Sequence, residues 1–331
     1  MHKSMTRRLA LAATLAAAAT LAGAPALAQS YPSKPVTIVV AYPAGGDTDA
    51  MARLFAEKLA TRLGQPVVVD NKPGASGTIG SAYVAKAAPD GHTLLLAPST
   101  FSIAPLVLKG NKSGPAYDVL GDLAPVIQVG TQPLFLVAGA GVGAKDFKQF
   151  MALAKQGGKP LQYGSPGSGS PMHILGEMFN KAAGVDIAHV PYRGVAPVIT
   201  DVLGGHIPMT WMTLGPVAPY IANGKMTLLA VADAQRSKLA PSVPTLAELG
   251  VKDVDVGAWQ GLMGPKGLPA PIVKTLNGHM NEILKMPDVV ERLLTLGIVP
   301  LGGEPGRLAQ TNAHDYQRFG KIIQAFNIQA D

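Results

Sequence analysis

The chain contains no cysteine. That excludes disulfides, thiolate metal sites and a lipid-anchored cysteine behind a leader. About 300 residues bury enough apolar surface to fold without covalent staples. Tryptophan is scarce too: Trp211 and Trp259 are the whole complement. Both fall in apolar runs and read as core residues, with stacking of Trp259 on a ligand ring as the lesser alternative. Charged residues make up only 15%. The cations are scattered, as at Lys58, Arg62, Lys72 and Lys86. No basic run interleaved with aromatics occurs, which argues against nucleic acid as a partner. His92, His189, His206, His279 and His314 show no paired ligand spacing, so no metal site is expected. Gly74, Gly77 and Gly80 lack the dinucleotide spacing, and no Lys-Ser/Thr phosphate loop is present. No cofactor is expected.

What is present begins with a leader. Lys3, Arg7 and Arg8 precede an Ala/Leu core over residues 9–21, and Ala26-Leu27-Ala28 forms a small-x-small cleavage site. Residues 1–28 therefore read as a cleaved secretory signal peptide, which places the mature chain in the periplasm. The general export route fits better than the twin-arginine one. Its removal lowers the formal charge from +7 to +4, with 25 basic against 21 acidic residues left. A weak positive field favours an anionic ligand entering a cleft, or simply aids solubility. No second apolar stretch reaches membrane length.

The mature chain alternates strand and helix. Val36 to Ala41, Val67 to Asp70 and Thr93 to Ala97 read as strands; residues 50–63 and 78–87 read as helices. Strands are then expected at 124–129, 134–138, 161–163, 188–190, 207–212 and 228–232. Helices are expected at 145–155, 171–183, 195–204 and 217–223. Residues 259–263 read as a strand returning to the first unit, and helices over 271–285, 287–296 and 305–326 close the chain. The order predicts an α/β fold of two lobes, each a mainly parallel sheet flanked by helices. Lobe 1 comprises 29–129 plus 253–305 and lobe 2 comprises 130–252. The final helix, 306–331, packs across both.

Two Gly/Ser-rich turns link strands to helices: Pro43-Ala44-Gly45-Gly46-Asp47-Thr48-Asp49 and Gly164-Ser165-Pro166-Gly167-Ser168-Gly169-Ser170-Pro171. Glycines let a ligand approach the backbone, and the first N–H groups of a helix lack internal partners, so each turn is a candidate anion site. Ligands of open parallel sheets bind beyond the carboxyl ends of the strands. That position also holds Ser99-Thr100 and Tyr192-Arg193-Gly194. Topology thus places a cleft between the lobes.

The motifs Pro43-Ala44-Gly45-Gly46-Asp47-Thr48-Asp49, Gly64-Gln65-Pro66-Val67-Val68-Val69-Asp70-Asn71-Lys72-Pro73-Gly74-Ala75, Ala88-Pro89-Asp90-Gly91, Gly169-Ser170-Pro171-Met172-His173, His189-Val190-Pro191-Tyr192-Arg193-Gly194 and Gly261-Leu262-Met263-Gly264-Pro265 follow one another along nearly the whole mature chain. In this ordered set the chain resembles the Bug-type periplasmic solute-binding proteins of tripartite tricarboxylate transporters. The resemblance implies a type II binding-protein fold and a cleft ligand that is a carboxylate: a dicarboxylic amino acid, citrate or an aromatic acid. It implies that backbone N–H groups, hydroxyls and waters hold the ligand. It also implies membrane permease subunits as partners and a monomer that makes and breaks no bond.

The candidate ligand contacts are Tyr42, Pro43, Ala44, Gly45, Gly46, Thr48 and Asp49 in the first turn. Ser165, Gly167, Ser168, Gly169 and Ser170 are those in the second. Ser76, Thr78, Ser99, Thr100, Tyr192, Arg193 and Gly194 complete the set. Asp49 reads first as a helix cap; the resemblance implies an acid that builds the loop or meets ligand through water or an amino group. Ser170 reads as an N-cap with Pro171 at the first helical position. Ser76 and Thr78 read either as a second cleft-facing helix start or as plain capping residues. Arg193 is either a bidentate carboxylate ligand or a rim residue. Asp47 departs from the small uncharged residue of many relatives. It is read as pointing to solvent, the alternative being that it favours acids carrying a cationic or hydroxyl group. A sensor that signals to a membrane receptor remains a second function. A hydrolase using Ser168 with His173 is remote, since Pro166 stands where a nucleophile elbow needs glycine.

Overall fold

The computed structural model describes residues 31–108, 117–156 and 161–329. The leader at 1–28 lies outside the described residues. Among those described, no helix is long and apolar enough to cross a membrane.

The first sheet is organised around β1 (Val36–Val40), β2 (Val67–Asn71) and β3 (Thr93–Pro98), all parallel. Val36, Ile38, Val39 and Val40 are all fully buried, as expected of a central strand covered on both faces. The crossover helices are α1 (Asp47–Leu63) and α2 (Thr78–Ala85). α1 starts three residues earlier than its apolar periodicity suggests, because Asp47 and Thr48 form its polar first turn. It stops at Gly64, which takes the left-handed conformation at φ 65°. β4 (Leu123–Gln132), β10 (Ala258–Pro265) and β11 (Val299–Pro300) complete the order β11-β4-β10-β3-β1-β2. β10 lies antiparallel between β3 and β4.

The second sheet has the order β7-β6-β8-β5-β9. Its strands are β5 (Phe135–Gly139), β6 (Gln162–Ser165), β7 (Ala188–Pro191), β8 (Met209–Met212) and β9 (Met226–Val231). β6, β7 and β8 are parallel, and β5 runs against β8 and β9. The crossovers are α4 (Phe147–Lys155), α5 (Pro171–Ala183), α6 (Val195–Leu203) and α7 (Leu214–Ala222). Each sheet therefore has one internal strand, β10 or β5, inserted against the common direction, and in the first sheet the edge strand β11 runs against it too. That insertion is invisible to hydrophobic periodicity. Pro133 and Leu134 alone separate β4 from β5.

α3 (Thr100–Val107) has no counterpart in the sequence reading. Pro105 lies inside it and removes one backbone donor. The structure tolerates this because the carbonyl of Phe101, four residues earlier, accepts the Tyr117 hydroxyl at 3.1 Å. β11, two residues long at the sheet edge, was equally unmarked.

α8 (Ala270–Ile283) and α9 (Pro287–Thr295) cover the first sheet. α10 (Pro305–Phe326) places Leu308 in the first-sheet core and Phe319 and Ile323 in the second. Trp259 donates its indole N–H to Asp315 of α10 at 2.7 Å, so it is a packing residue and does not reach the cleft.

Trp211 is fully buried and meets Phe179 edge-on at 5.3 Å. Its indole N–H has no partner among the described residues. Trp211→Ala should therefore cost about 3–5 kcal/mol in urea unfolding. Trp211→Phe should cost less than half of that, because it also removes a desolvated donor.

Candidate functional site

One cavity lies between the two sheets, with a volume of about 680 Å³ counting the space open to solvent. Four helices begin at its wall. The N-cap residues Gly46 of α1, Ser99 of α3, Gly194 of α6 and Thr213 of α7 all line it, and none makes a side-chain cap. By contrast, α4 and α5 are capped by Asp146 and Ser170. Each such start has a partial positive charge and N–H groups without helical partners, although in α1 the Thr48 N–H already donates to Asp47 Oδ1 at 2.9 Å. Two come from the first sheet and two from the second, so an anion between them touches both halves.

The first turn is held in place from beneath. Asp49 is not the cap of α1: it sits inside the first helical turn and reaches back to the Gly45 N–H at 3.0 Å. Arg53 grips its carboxylate at 3.0 Å through Nε and Nη2, and Asn71 Nδ2 donates to it at 3.0 Å. Asn71 Nδ2 also donates to the Tyr42 carbonyl at 3.1 Å, tying β2 to the turn. Burial opposes ionisation of Asp49, but the bonds from Arg53, Gly45 and Asn71 outweigh it and lower its pKa. Asp49 is thus committed to the loop. Gly45 adopts φ 90°, which explains its residue type. Its N–H is spent on Asp49, and the residue lies on the outer side of the turn.

Of the other predicted contacts, Tyr42, Pro43, Ala44, Gly46, Thr48, Ser99, Thr100, Arg193 and Gly194 line the cavity. The second Gly/Ser turn behaves differently. Among its residues Pro166 and Pro171 line the cavity, whereas Ser165, Gly167, Ser168, Gly169 and Ser170 do not. Ser165 is fully buried with its Oγ 2.6 Å from His189 Nε2. Burial lowers the His189 pKa to about 4. Ser170 caps α5 by accepting the His173 N–H at 3.2 Å. His173 Nδ1 accepts the Gly169 N–H at 3.1 Å and its ring stacks on His189. Gly167 and Gly169 instead permit close approach of the halves. A Cβ on Gly167 would lie 2.7 Å from Ser76 Oγ, and one on Gly169 2.6 Å from Ala104 Cα. Thr78 Oγ1 donates to the Ala75 carbonyl at 2.8 Å, and Tyr42 OH donates to the Ser76 carbonyl at 3.1 Å. Tyr192 points away, its hydroxyl donating to Asp201 at 2.6 Å.

Sequence reasoning missed Gln132, Thr213 and Gln260, which all line the cavity. It also turned Asp47 towards solvent, where the structure places it in the wall. The reason is a hydrogen-bond chain: Asp47 Oδ2 accepts from Gln132 Nε2 at 3.2 Å, and Gln132 Oε1 accepts from Gln260 Nε2 at 2.9 Å. Gln260 Nε2 also lies 3.5 Å from Thr48 Oγ1. Gln260 and Thr213 are each only 1% exposed, yet Gln260 Oε1 and Thr213 Oγ1 have no partner among the described residues. Buried polar atoms are rarely left unpaired. Two of them at one cavity wall mark where a ligand's polar groups belong. The available signal was a glutamine inside each of two apolar strands.

A sequence profile described as tripartite tricarboxylate transporter family receptor matches residues 51–328. Protein BugT of Bordetella pertussis is 37% identical over 299 residues, 90% of each chain. Among solved structures, the periplasmic binding protein BugD superposes with a TM-score of 0.83 at 32% identity, over 91% of this chain and all of that one. R. palustris Rpa4515 with adipate gives 0.85 at 31% identity, over 90% of this chain and 99% of that one. MatC from Rhodopseudomonas palustris with bound malate gives 0.80 at 30% identity, over 88% and 100%. The chain belongs to the tripartite tricarboxylate transporter family of periplasmic solute-binding receptors.

Proposed function

We propose that the protein captures a small organic acid in the periplasm, closes two lobes around it and delivers it unchanged to the membrane permease of a tripartite tricarboxylate transporter. It acts as a monomer. The lobes are 29–129 with 253–305, and 130–252, and the closing helix spans them. The observation that carries the reading is the meeting of four helix starts, two from each sheet, whose N-cap residues make no side-chain cap, beside the unpaired hydroxyl of Thr213. Such a wall is built for oxygen-rich anions. Each charge–dipole contact supplies roughly 0.3–2 kcal/mol. Four of them with several hydrogen bonds reach micromolar affinity, about −8 kcal/mol. Because the contacts come from both halves, the ligand favours the closed arrangement. The carboxylates held by Rpa4515 and MatC are of the same chemical class.

The test of capture is a thermal-shift screen of ligand-free protein against mono-, di- and tricarboxylates and their uncharged amides. At about 100 times Kd, binding adds roughly 2.7 kcal/mol, a rise in Tm of about 5 °C. Acids should produce it and amides should not; the reverse pattern would sink the carboxylate reading. Delivery is tested by deleting the gene and measuring uptake of the acid found. Unchanged uptake with lost induction would point to sensing.

A further inference from the structure

We infer that the cavity selects an acid that also carries a hydrogen-bond donor, a hydroxyl or ammonium group, and that the chain Asp47–Gln132–Gln260 reads that donor. The inference rests on the reading above that the cavity holds an organic acid.

The argument is one of polarity passed along a chain. An ionised carboxylate can only accept hydrogen bonds, whereas a glutamine amide has a donating and an accepting end. Asp47 Oδ2, 3.2 Å from Gln132, therefore takes the donating Nε2. That turns Gln132 Oε1 towards Gln260, which must answer with its own Nε2 at 2.9 Å. The remaining atom, Gln260 Oε1, is buried and left without a partner among the described residues. With Asp47 present, the final group in the wall is an acceptor. A neutral small residue at position 47 would leave both amides free to turn, so the wall would have no set polarity.

A buried acceptor rejects an oxygen that can only accept, because both groups then stay unpaired. It rewards a donor. The negative charge of Asp47 adds to the preference for a donor at this end. The acid end belongs at the open helix starts, where Thr213 Oγ1 offers a hydroxyl. The opposite ends of the ligand thus meet opposite polarity.

The experiment is calorimetric titration of ligand-free full-length mature protein with matched acids of three to six carbons. Each chain length is presented as the mono- and diacid, unsubstituted and with a 2-keto, 2-hydroxy or 2-amino group. The tightest ligand should be a hydroxy or amino acid that binds at least about tenfold better than its unsubstituted and keto counterparts. Gln260→Met removes the acceptor at similar volume, and the ratio should fall to about one, whatever happens to absolute affinity. Asp47→Asn, which frees Gln132 to turn, should lower the same ratio and serves if the first variant does not fold. Whether amino or hydroxy acids lead tells which donor is read. Equal binding of unsubstituted or keto acids overturns the inference, as does a ratio that survives in Gln260→Met, while acid capture stands. Failure of every acid to bind removes the functional reading itself.

Discussion

Gly215→Val is expected to weaken ligand binding about 100-fold or more while leaving the protein folded. Gly215 opens α7 two residues after Thr213, and it abuts the end of α9 from the other half of the molecule. A Cβ there would lie 2.3 Å from both the carbonyl carbon and oxygen of Leu296. These are backbone atoms, so no side chain can swing aside. Gly297, beside them, takes φ 74°, and a Cβ on it would lie 2.6 Å from the Gly215 nitrogen. The two helix ends therefore meet backbone to backbone, beside a second cavity that shares Gly46, Asp47, Val195 and Ala196 with the first. Valine at 215 would lever α7 and Thr213 away from the ligand. Gly215 belongs to none of the four hydrophobic clusters, so each half keeps its packing. A closed state raised by about 2.7 kcal/mol loses about 100-fold in affinity. Calorimetric titration with the acid identified by the screen, paired with circular-dichroism melting of the ligand-free variant, separates the effects. Unchanged affinity would mean that closure does not bring these helix ends together.

Asp49→Ala is expected to lower stability by about 2–4 kcal/mol and to abolish most binding. It removes the charged bonds to Gly45, Asn71 and Arg53 together, and hydrogen bonds to charged groups contribute about 1.5–3 kcal/mol each before partial compensation by water. Arg53 is half exposed and re-solvates readily. The turn that carries Gly46 and Asp47 loses its brace, so the α1 start no longer points into the cavity. The pH dependence has a defined sign. Because the folded pKa of Asp49 lies below its ordinary 3.8, its contribution is complete above that value. It disappears as pH falls through the folded pKa. Urea midpoints measured from pH 7 down to pH 2 should fall more steeply below about pH 4 in the parent than in Asp49→Ala. Parallel curves would show that Asp49 does not couple to folding.

Much of this architecture was legible in the sequence because it is local. Apolar runs bounded by Gly and Pro marked β1 to β3, Ser170-Pro171 marked the start of α5, and Gly64 marked the end of α1. The first Gly turn carried its own signature, and so did the strand-to-helix turn at Tyr192-Arg193-Gly194. The second Gly/Ser turn carried the same kind of signature with a different use. Its serines cap α5 and bond within the fold, and its glycines let the halves approach. Composition announced an anion loop there; packing made it a seam.

The residues that set the polarity of the cavity could not be read one segment at a time. Gln132 ends β4, Gln260 lies in β10 and Thr213 follows β8. Each is a single polar residue in or beside an apolar strand, and alone it resembles a tolerated exception. Gln132 and Gln260 meet because β10 returns from the second sheet to lie between β3 and β4, a pairing set by long-range hydrogen bonds. The sequence by itself determined the two α/β units, the family and the helix starts at Gly46 and Gly194, since periodicity and turn chemistry act over a few residues; the starts at Ser99 and Thr213 it did not mark. Tertiary structure alone decided that Asp47 faces inward, that Asp49 serves the loop and that Gln260 offers an unpaired acceptor. Hydrogen-bond polarity passes only between groups in contact, and contact between residues 47, 132 and 260 exists only once the chain has folded.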